Sequence, residues 1–134
     1  MMEGNTRQLV FGVCIALLLF FVSVGVSSAS TIYVPDDYEK IQWAVDNTSA
    51  GDTIIVRDGI YYENVDVNQS LTIKSENGAE ATIVQAANPY VHVFKITADY
   101  VNISGFTAKA ARGYSAGIYL RYADYCNISI YDLS

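Results

Sequence analysis

The sequence ADYVNIS at residues 98–104 returns as ADYCNIS at residues 123–129, 25 positions further on, with six of the seven residues identical. In both copies ADY supplies the small and polar residues of a turn. The residues after it alternate between apolar and polar, which is typical of a short strand with one buried face. The repeated phrase therefore predicts a turn followed by a strand, present twice in equivalent surroundings.

Other apolar pairs recur at similar intervals. Leu71 and Ile73 match Val101 and Ile103 at an offset of 30, and Phe94 and Ile96 match Ile118 and Leu120 at an offset of 24. Recurrence with a period of about 20 to 50 favours a solenoid, in which each turn stacks its strands on those of the previous turn. The expected inward columns are Leu71–Val101–Cys126 and Ile73–Ile103–Ile128. Asn102 and Asn127 would lie about 4.8 Å apart, where side-chain amides can form a ladder.

The rest of the chain reads as one helix and many short strands. Asp36 as N-cap and Glu39 at the third position after it form a capping-box pattern, which predicts an amphipathic helix over residues 37–47 with Ile41, Ala44 and Val45 on its apolar face. Runs rich in Val, Ile, Tyr and Thr predict strands at 53–56, 63–67, 70–74, 81–86, 91–97, 101–108, 118–121 and 126–131.

Residues 1–29 have the pattern of an export signal. Arg7 precedes an uncharged apolar run at 10–26, and small residues at 27–29 predict cleavage after Ala29. The apolar run is at the short limit for spanning a bilayer, so an uncleaved membrane anchor is the alternative. The expected location is secreted, cell-surface or periplasmic.

Charge and cysteine content exclude some functions for the segment 30–134. With Arg7 and Glu3 set aside in the leader, it carries 7 Lys and Arg against 13 Asp and Glu, and it has no basic cluster. Nucleic-acid binding needs a positive surface to neutralise phosphates, so we expect no nucleic-acid partner. Cys126 is the only cysteine after the leader, so no disulfide forms within the segment, and we interpret it as a small buried apolar residue.

Three longer stretches resemble a known class. The sequences IQWAVDNTSAGDTIIVRDGIYYENVDVNQSLTIKS (41–75), VFKITADYVNISGFT (93–107) and AGIYLRYADYCNIS (116–129) are similar to secreted right-handed parallel β-helix proteins of the pectin-lyase-like type, and most of all to archaeal NosD-like surface or periplasmic proteins. The resemblance implies an all-β right-handed parallel β-helix, and the number of predicted strands allows about three coils. Residues 30–50 would supply an N-terminal strand and a helix that caps the β-helix, and residues 51–134 the coils. Because such solenoids usually have many coils, we expect the chain to be an N-terminal fragment.

The resemblance also implies candidates for catalysis, since related enzymes are polysaccharide lyases and esterases. Asp99 and Asp124 are related by the repeat, and Arg121 is close in sequence. Two carboxylates one coil apart can share a proton as acid and base, or hold Ca²⁺. The structural alternative is that both aspartates simply form the turn, and this is the interpretation we favour.

The NosD-like resemblance raises the question of copper. Copper sites use His, Cys and Met, and residues 30–134 contain only His92 and Cys126 of these types. His92 shares its alternation with Phe94 and Ile96, so we expect it on or near the core face. We expect no copper site in this segment and no required cofactor.

Eleven tyrosines follow the leader, and Tyr119, Tyr122 and Tyr125 crowd one stretch. Exposed tyrosines stack on sugar rings while their hydroxyl groups bond sugar hydroxyls, so these three are candidates for carbohydrate binding. The alternative is that tyrosine is common in strands because it suits half-buried surfaces.

Four Asn-X-Ser/Thr sequons begin at Asn47, Asn68, Asn102 and Asn127. Asn47 and Asn68 fall in predicted turns and are the better candidates for glycosylation. The sequence as a whole favours an exported, non-catalytic β-helix module that contacts polysaccharide or surface-layer proteins. A polysaccharide lyase or esterase is the first alternative, and a periplasmic copper-handling accessory protein the second.

Overall fold

The computed structural model describes residues 28–110 and 112–133. In this range the chain is mostly β, with one short helix. The elements, in chain order, are β1 (Thr31–Val34), α1 (Ile41–Asp46), β2 (Thr53–Val56), β3 (Gly59–Tyr62), β4 (Val65–Val67), β5 (Thr72–Ser75), β6 (Thr82–Gln85), β7 (Phe94–Ile96), β8 (Asn102–Lys109), β9 (Ile118–Leu120) and β10 (Asn127–Asp132).

The predicted leader falls almost wholly outside the described residues, so its cleavage after Ala29 and its alternative as an anchor stay predictions. Within 28–110 and 112–133, no helix has the length and apolar character needed to cross a bilayer.

All strand pairs in the described range are parallel, and they form three stacks. The first stack contains β1, β2, β5 and the first halves of β8 and β10. The second contains β3, β6 and the second halves of β8 and β10. The third contains β4, β7 and β9. Residues at equivalent positions of successive repeats therefore lie next to each other on neighbouring strands.

The register of the first stack confirms the predicted column of isoleucines. Ile73 pairs with Ile103, and Ile103 pairs with Ile128. Ile73 and Ile103 are fully buried, whereas Ile128 is half-buried. Burial of such β-branched side chains on the inner face contributes about 1.5 to 3 kcal/mol for each, which makes this register far more favourable than a slip by one residue.

The third stack confirms the match at an offset of 24. Phe94 pairs with Ile118, and Ile96 pairs with Leu120. Leu120 is nevertheless 42% exposed. The reason is that no described strand pairs with the far edge of β9, so the side chain is covered from one side only.

Gly105 lets β8 belong to two stacks at once. The pairing of β10 with β8 passes from Ser129–Ser104 directly to Ile130–Phe106, which leaves Gly105 as the extra residue of a bulge. Its φ of +77° lies in the left-handed region. Before the bulge β8 pairs with β5, and after it β8 pairs with β6. The bend brings Phe106 against Phe94, with ring centroids 5.7 Å apart, which joins the core of the second and third stacks.

The sequence interpretation missed strand β3. It placed a turn at Arg57–Gly59 and the next strand at 63–67, whereas residues 59–62 form a strand that pairs with β6. The alternation here is reversed, because the large residues Ile60 and Tyr62 point outward and are exposed. Only Tyr61 of this strand packs against the core, so the sequence shows no run of alternating buried residues, and the pairing with β6 defines the strand.

The helix is shorter than predicted, and the predicted capping box does not form. The N-cap residue is Lys40, which makes no side-chain cap. Asp36 instead bonds the Arg57 guanidinium at 2.6 Å, and the Asp37 carboxylate accepts a hydrogen bond from the Tyr33 N–H at 2.7 Å. These contacts draw both aspartates towards β1 and β2, away from the helix. The predicted apolar face of Ile41, Ala44 and Val45 is confirmed as buried.

A distant carboxylate caps the helix instead. Glu63 is 8% exposed, and its two oxygens accept hydrogen bonds from the N–H groups of Ile41 at 2.9 Å and Gln42 at 3.1 Å. The free N–H groups of a helix start favour a negative charge at this position. Glu63 therefore holds α1 against the strands, and α1 packs on β1, β2 and β4.

A second buried carboxylate fixes the start of β1. Asp52 accepts hydrogen bonds from the backbone N–H groups of Ser30 and Ser49, both at 2.8 Å. These donors favour the charged form and lower the pKa of Asp52 below its ordinary value. The N-terminal strand is thus tied to the loop that precedes β2.

We predict that Glu63→Ala lowers the free energy of unfolding by about 1 to 3 kcal/mol, because it leaves the buried N–H of Ile41 and the partly buried N–H of Gln42 without an acceptor. Asp36→Ala is the control and should cost much less, since it breaks only an exposed ion pair. Urea unfolding of both variants measures the difference. Equal losses, or a larger loss for Asp36→Ala, would contradict the assignment of Glu63 as the cap.

We predict that Gly105→Ala destabilises the fold by about 1 to 3 kcal/mol from its left-handed backbone alone, and further because a Cβ at this position overlaps Ser75 Oγ. Gly113→Ala is a matched control, since Gly113 has a similar φ of +75° and open space around it. Thermal unfolding should show the larger decrease in Tm for Gly105→Ala. The importance of the bulge is refuted if both variants lose the same amount.

Candidate functional site

The repeated ADY turns lie one above the other and bring two tyrosines together. Tyr100 and Tyr125 both have left-handed backbones, with φ of 56° and 55°, and their rings stack with centroids 5.0 Å apart and an angle of 8°. A left-handed non-glycine residue is uncommon, and here it directs both rings outward. Tyr100 is 62% exposed and Tyr125 is 76% exposed. The predicted turn–strand unit is confirmed, and its corner carries an exposed aromatic pair.

Backbone hydrogen bonds hold this corner, and Asp99 is part of them. The Asp99 carboxylate accepts a hydrogen bond from the Asp124 N–H at 2.8 Å, and the Tyr100 N–H donates to the Asp124 carbonyl at 3.0 Å. Ser70 Oγ donates to the Asp99 carbonyl at 2.7 Å. The structure thus brings the two candidate aspartates together, but the Asp99 side chain binds the backbone of the neighbouring turn. This geometry is that of a corner residue.

Tyr122 is the extra residue that changes the repeat from 24 to 25. The Arg121 N–H donates to the Ile96 carbonyl in the third stack, and the Asn127 N–H donates to the Val101 carbonyl in the first stack. One residue more lies between these two bonds than in the preceding repeat. Tyr122 is this additional residue. It has a left-handed backbone with a φ of 52°, and it is 91% exposed. The Arg121 guanidinium lies 5.5 Å from the centre of this ring.

Arg121, the third catalytic candidate, does not contact the aspartates. Its described partners are the Tyr122 ring and the backbone of Ile96. Among the ion pairs of the described residues, none involves Arg121. The side chain is exposed and offers a positive charge beside an exposed aromatic ring.

A second aromatic pair lies on the outer side of the third stack. Tyr119 stacks on His92, with ring centroids 4.4 Å apart and an angle of 11°. His92 Nδ1 accepts a hydrogen bond from the Ala116 N–H at 2.9 Å, so the proton of the neutral ring is on Nε2. His92 is only half-buried, because both Val93 and Phe94 are buried in the core and interrupt the alternation.

Sequence reasoning overlooked Asn64, which positions the loop that carries His92. The Asn64 amide donates to the carbonyl oxygens of Asn88, Val91 and His92 at 3.2, 3.1 and 3.0 Å. Its own oxygen accepts from the Asn88 N–H at 2.7 Å. All these contacts join parts of the chain that are distant in sequence, so only the register of β4 with β7 could have indicated them.

Three tyrosines that the sequence singled out therefore lie in different settings. Tyr119 pairs with His92, Tyr125 pairs with Tyr100, and Tyr122, which lies between them in the sequence, is beside Arg121. The repeat offset of 25 residues could have indicated Tyr100 as the partner of Tyr125. The involvement of His92 could not be read from the sequence, because it depends on the loop fixed by Asn64.

Cys126 is half-buried and is packed against the core, with Sγ 3.5 Å from the carbonyl oxygens of Ala98 and Asp124. Within the part of the chain that the structure describes, no group of three or more His, Cys, Asp or Glu side chains is arranged to hold a metal ion. The copper and Ca²⁺ expectations stay predictions.

The two favoured sequons differ in their surroundings. Asn47 follows α1, and its side-chain amide donates to the Trp43 carbonyl at 2.8 Å. Asn68 follows β4 in an exposed loop, and no described hydrogen bond involves its side chain.

Comparison with known proteins gives one informative match. A cell surface glycoprotein of Methanothermus fervidus is 34% identical over 119 residues, which is 84% of this chain and 19% of that protein. The chain thus spans about a fifth of this relative's length. The similarity fits a surface-exposed protein. No protein-family model matches the chain, so the pectin-lyase-like and NosD-like resemblance has no family match behind it, and no solved structure matches significantly.

We predict different effects for the two aspartates of the corner. Asp99→Ala should destabilise the protein by about 0.5 to 1 kcal/mol because it removes a hydrogen bond between neighbouring turns. Asp124→Ala should change stability little, since its carboxylate has no described partner. Chemical denaturation of both variants checks this, and a larger loss for Asp124→Ala would contradict the corner role of Asp99.

Proposed function

We propose that the chain is a non-catalytic module of the cell surface that binds carbohydrate or surface-layer proteins. Its tyrosine corner, defined as Tyr100, Tyr122 and Tyr125 with the adjoining Arg121, is the contact surface. The proposal includes export, and a fold in which the three stacks are the sides of a right-handed parallel β-helix.

The strand arrangement supports a β-helix. All described pairs are parallel, and successive strands of each stack follow in chain order: β4, β7 and β9 in the third stack, and β1, β2, β5, β8 and β10 in the first. A chain that returns to each stack once per repeat, with parallel strands, winds as a solenoid. Crossovers between parallel strands are right-handed in nearly all proteins, which is the basis for the handedness.

The surface location rests on similarity and charge. The relative described above is a cell surface glycoprotein. The net charge of −6 and the absence of a basic cluster in the sequence suit an exposed acidic protein better than a partner of nucleic acid.

The single observation that carries the binding proposal is the exposed stack of Tyr100 and Tyr125. Tyr125 is 76% exposed although one face of its ring is against Tyr100, so the remaining surface is open to solvent. Stacking also restricts both side chains before any ligand arrives, which lowers the entropy lost on binding. A sugar ring offers an apolar face to such a ring and hydroxyl groups to the tyrosine oxygen.

The arrangement of charged groups supports a binding role over a lyase or esterase. An acid–base pair needs two carboxyl groups free to reach a substrate. Asp99 is instead bonded to the Asp124 backbone, and Arg121 faces the Tyr122 ring.

We predict that Tyr122→Ala and Tyr125→Ala each weaken binding to polysaccharide from the native cell envelope by about 2- to 12-fold, as aromatic stacking contributes about 0.5 to 1.5 kcal/mol. Affinity electrophoresis in gels containing the polysaccharide gives the dissociation constants. Tyr114→Ala is the matched control, because Tyr114 is fully exposed and has no described ring contact.

Equal binding by all three variants would refute the tyrosine corner as the binding surface. Release of new sugar ends by the unsubstituted protein, abolished in Asp124→Ala, would show an enzyme instead.

A further inference from the structure

We infer that Asn68 is an N-glycosylation site, and that it is used in preference to Asn47, Asn102 and Asn127. The inference does not depend on whether the tyrosine corner binds sugar. It rests on the different environments of the four sequons.

Asn68 is exposed and lies in the loop between β4 and β5, outside any strand. Its carboxamide has no hydrogen-bond partner among the described residues. An attached glycan is bulky and hydrated, so it needs a side chain that is directed to solvent and is not holding the fold. Asn68 meets both requirements.

The side chain also points away from the core. Val67, the preceding residue, is fully buried in the third stack and pairs with Ile96. Successive side chains of an extended chain alternate in direction, so Asn68 is on the outer side. A glycan at this position extends over the outer face of the third stack without displacing any packed group.

The side chain of Asn47 already takes part in a hydrogen bond of the fold. Its amide nitrogen donates to the Trp43 carbonyl at the end of α1. In both favoured sequons the neighbouring residues are bonded to other parts of the chain: the Thr48 hydroxyl group donates to the Val45 carbonyl, and the Ser70 hydroxyl group donates to the Asp99 carbonyl. The two sites therefore differ in the asparagine side chain itself. Attachment of a sugar to Asn47 would remove a helix-end contact.

Asn102 and Asn127 are the first residues of β8 and β10, and they pair with each other in register. Asn102 has a neighbour on each side, because Thr72 pairs with it from β5 and its amide contacts Thr72 Oγ1 at 3.5 Å. Adjacent strands are about 4.8 Å apart, so a glycan on either asparagine would be crowded by the other side chain.

The modification forms a bond between Asn68 Nδ2 and the anomeric carbon of the first sugar. The bond that breaks joins that carbon to the phosphate oxygen of a lipid-linked oligosaccharide. The lipid phosphate or pyrophosphate leaves, and the amide nitrogen loses one proton. The required partners are therefore a lipid-phosphate-linked oligosaccharide and a transferase that acts on exported chains.

Trypsin separates the four sequons, which makes the test direct. Cleavage after Lys40, Arg57, Lys74, Lys95, Lys109 and Arg121 places Asn47 on peptide 41–57, Asn68 on 58–74, Asn102 on 96–109 and Asn127 on the peptide that begins at Tyr122. We predict that mass spectrometry of the protein recovered from its native cells finds glycan on peptide 58–74 and none on the other three. An unmodified 58–74 peptide would overturn the inference, and so would glycan on 41–57.

Two variants provide a matched pair in the same cells. Asn68→Gln should lose the glycan mass and retain the Tm measured after the glycan is removed. Asn47→Gln should keep the glycan mass and lower the Tm, because the contact with the Trp43 carbonyl is lost. Retention of the full glycan mass by Asn68→Gln would overturn the assignment.

Discussion

The in-register parallel pairing of apolar columns is the interaction on which the rest of the structure depends. Ile73, Ile103 and Ile128 follow one another across three strands of the first stack. A slip by one residue would turn each of these side chains to solvent, so the hydrophobic effect fixes the register of the strands in the first stack. The register of the strands also determines which turns and loops lie next to each other.

The tyrosine corner is the clearest example of a surface positioned by the strand register. Asn102 pairs with Asn127, and the turns that precede them are therefore superimposed along the stack. The same register places the Asp99 carboxylate beside the Asp124 N–H and stacks Tyr100 on Tyr125. The sequence favoured a turn role over a catalytic role for Asp99 and Asp124, and the packing of two equivalent turns is consistent with that interpretation. The exposed rings are what this packing leaves available for a ligand.

The sequence predicted the structure correctly where buried apolar residues recur at a regular interval. It failed where a contact joins residues that are distant in the sequence. The columns of the first and third stacks could be predicted because apolar residues recur at offsets of 24, 25 and 30. Strand β3 could not, since the large residues Ile60 and Tyr62 point outward, only Tyr61 packs against the core, and the strand is defined by its pairing with β6. The capping of α1 was assigned to the nearest suitable aspartate, Asp36. The actual acceptor, Glu63, is far from the helix start in sequence and is brought there by the fold. The Tyr119–His92 stack was missed for the same reason, because it needs the loop that Asn64 holds.

The distribution of charge supports the proposal that a ligand contacts the tyrosine corner. On the side of β2, the Arg57 guanidinium is neutralised by Asp36 and Glu76, and it lies 4.9 Å from the Tyr33 ring, so its binding capacity is used within the protein. Arg121 has an aromatic neighbour but no acidic partner among the described ion pairs. Binding a ligand there therefore requires no internal ion pair to break, and the ring of Tyr122 already orients the cation. Under the proposed function, Arg121 is therefore a cation available to a ligand among exposed tyrosines, whereas Arg57 is occupied with internal contacts.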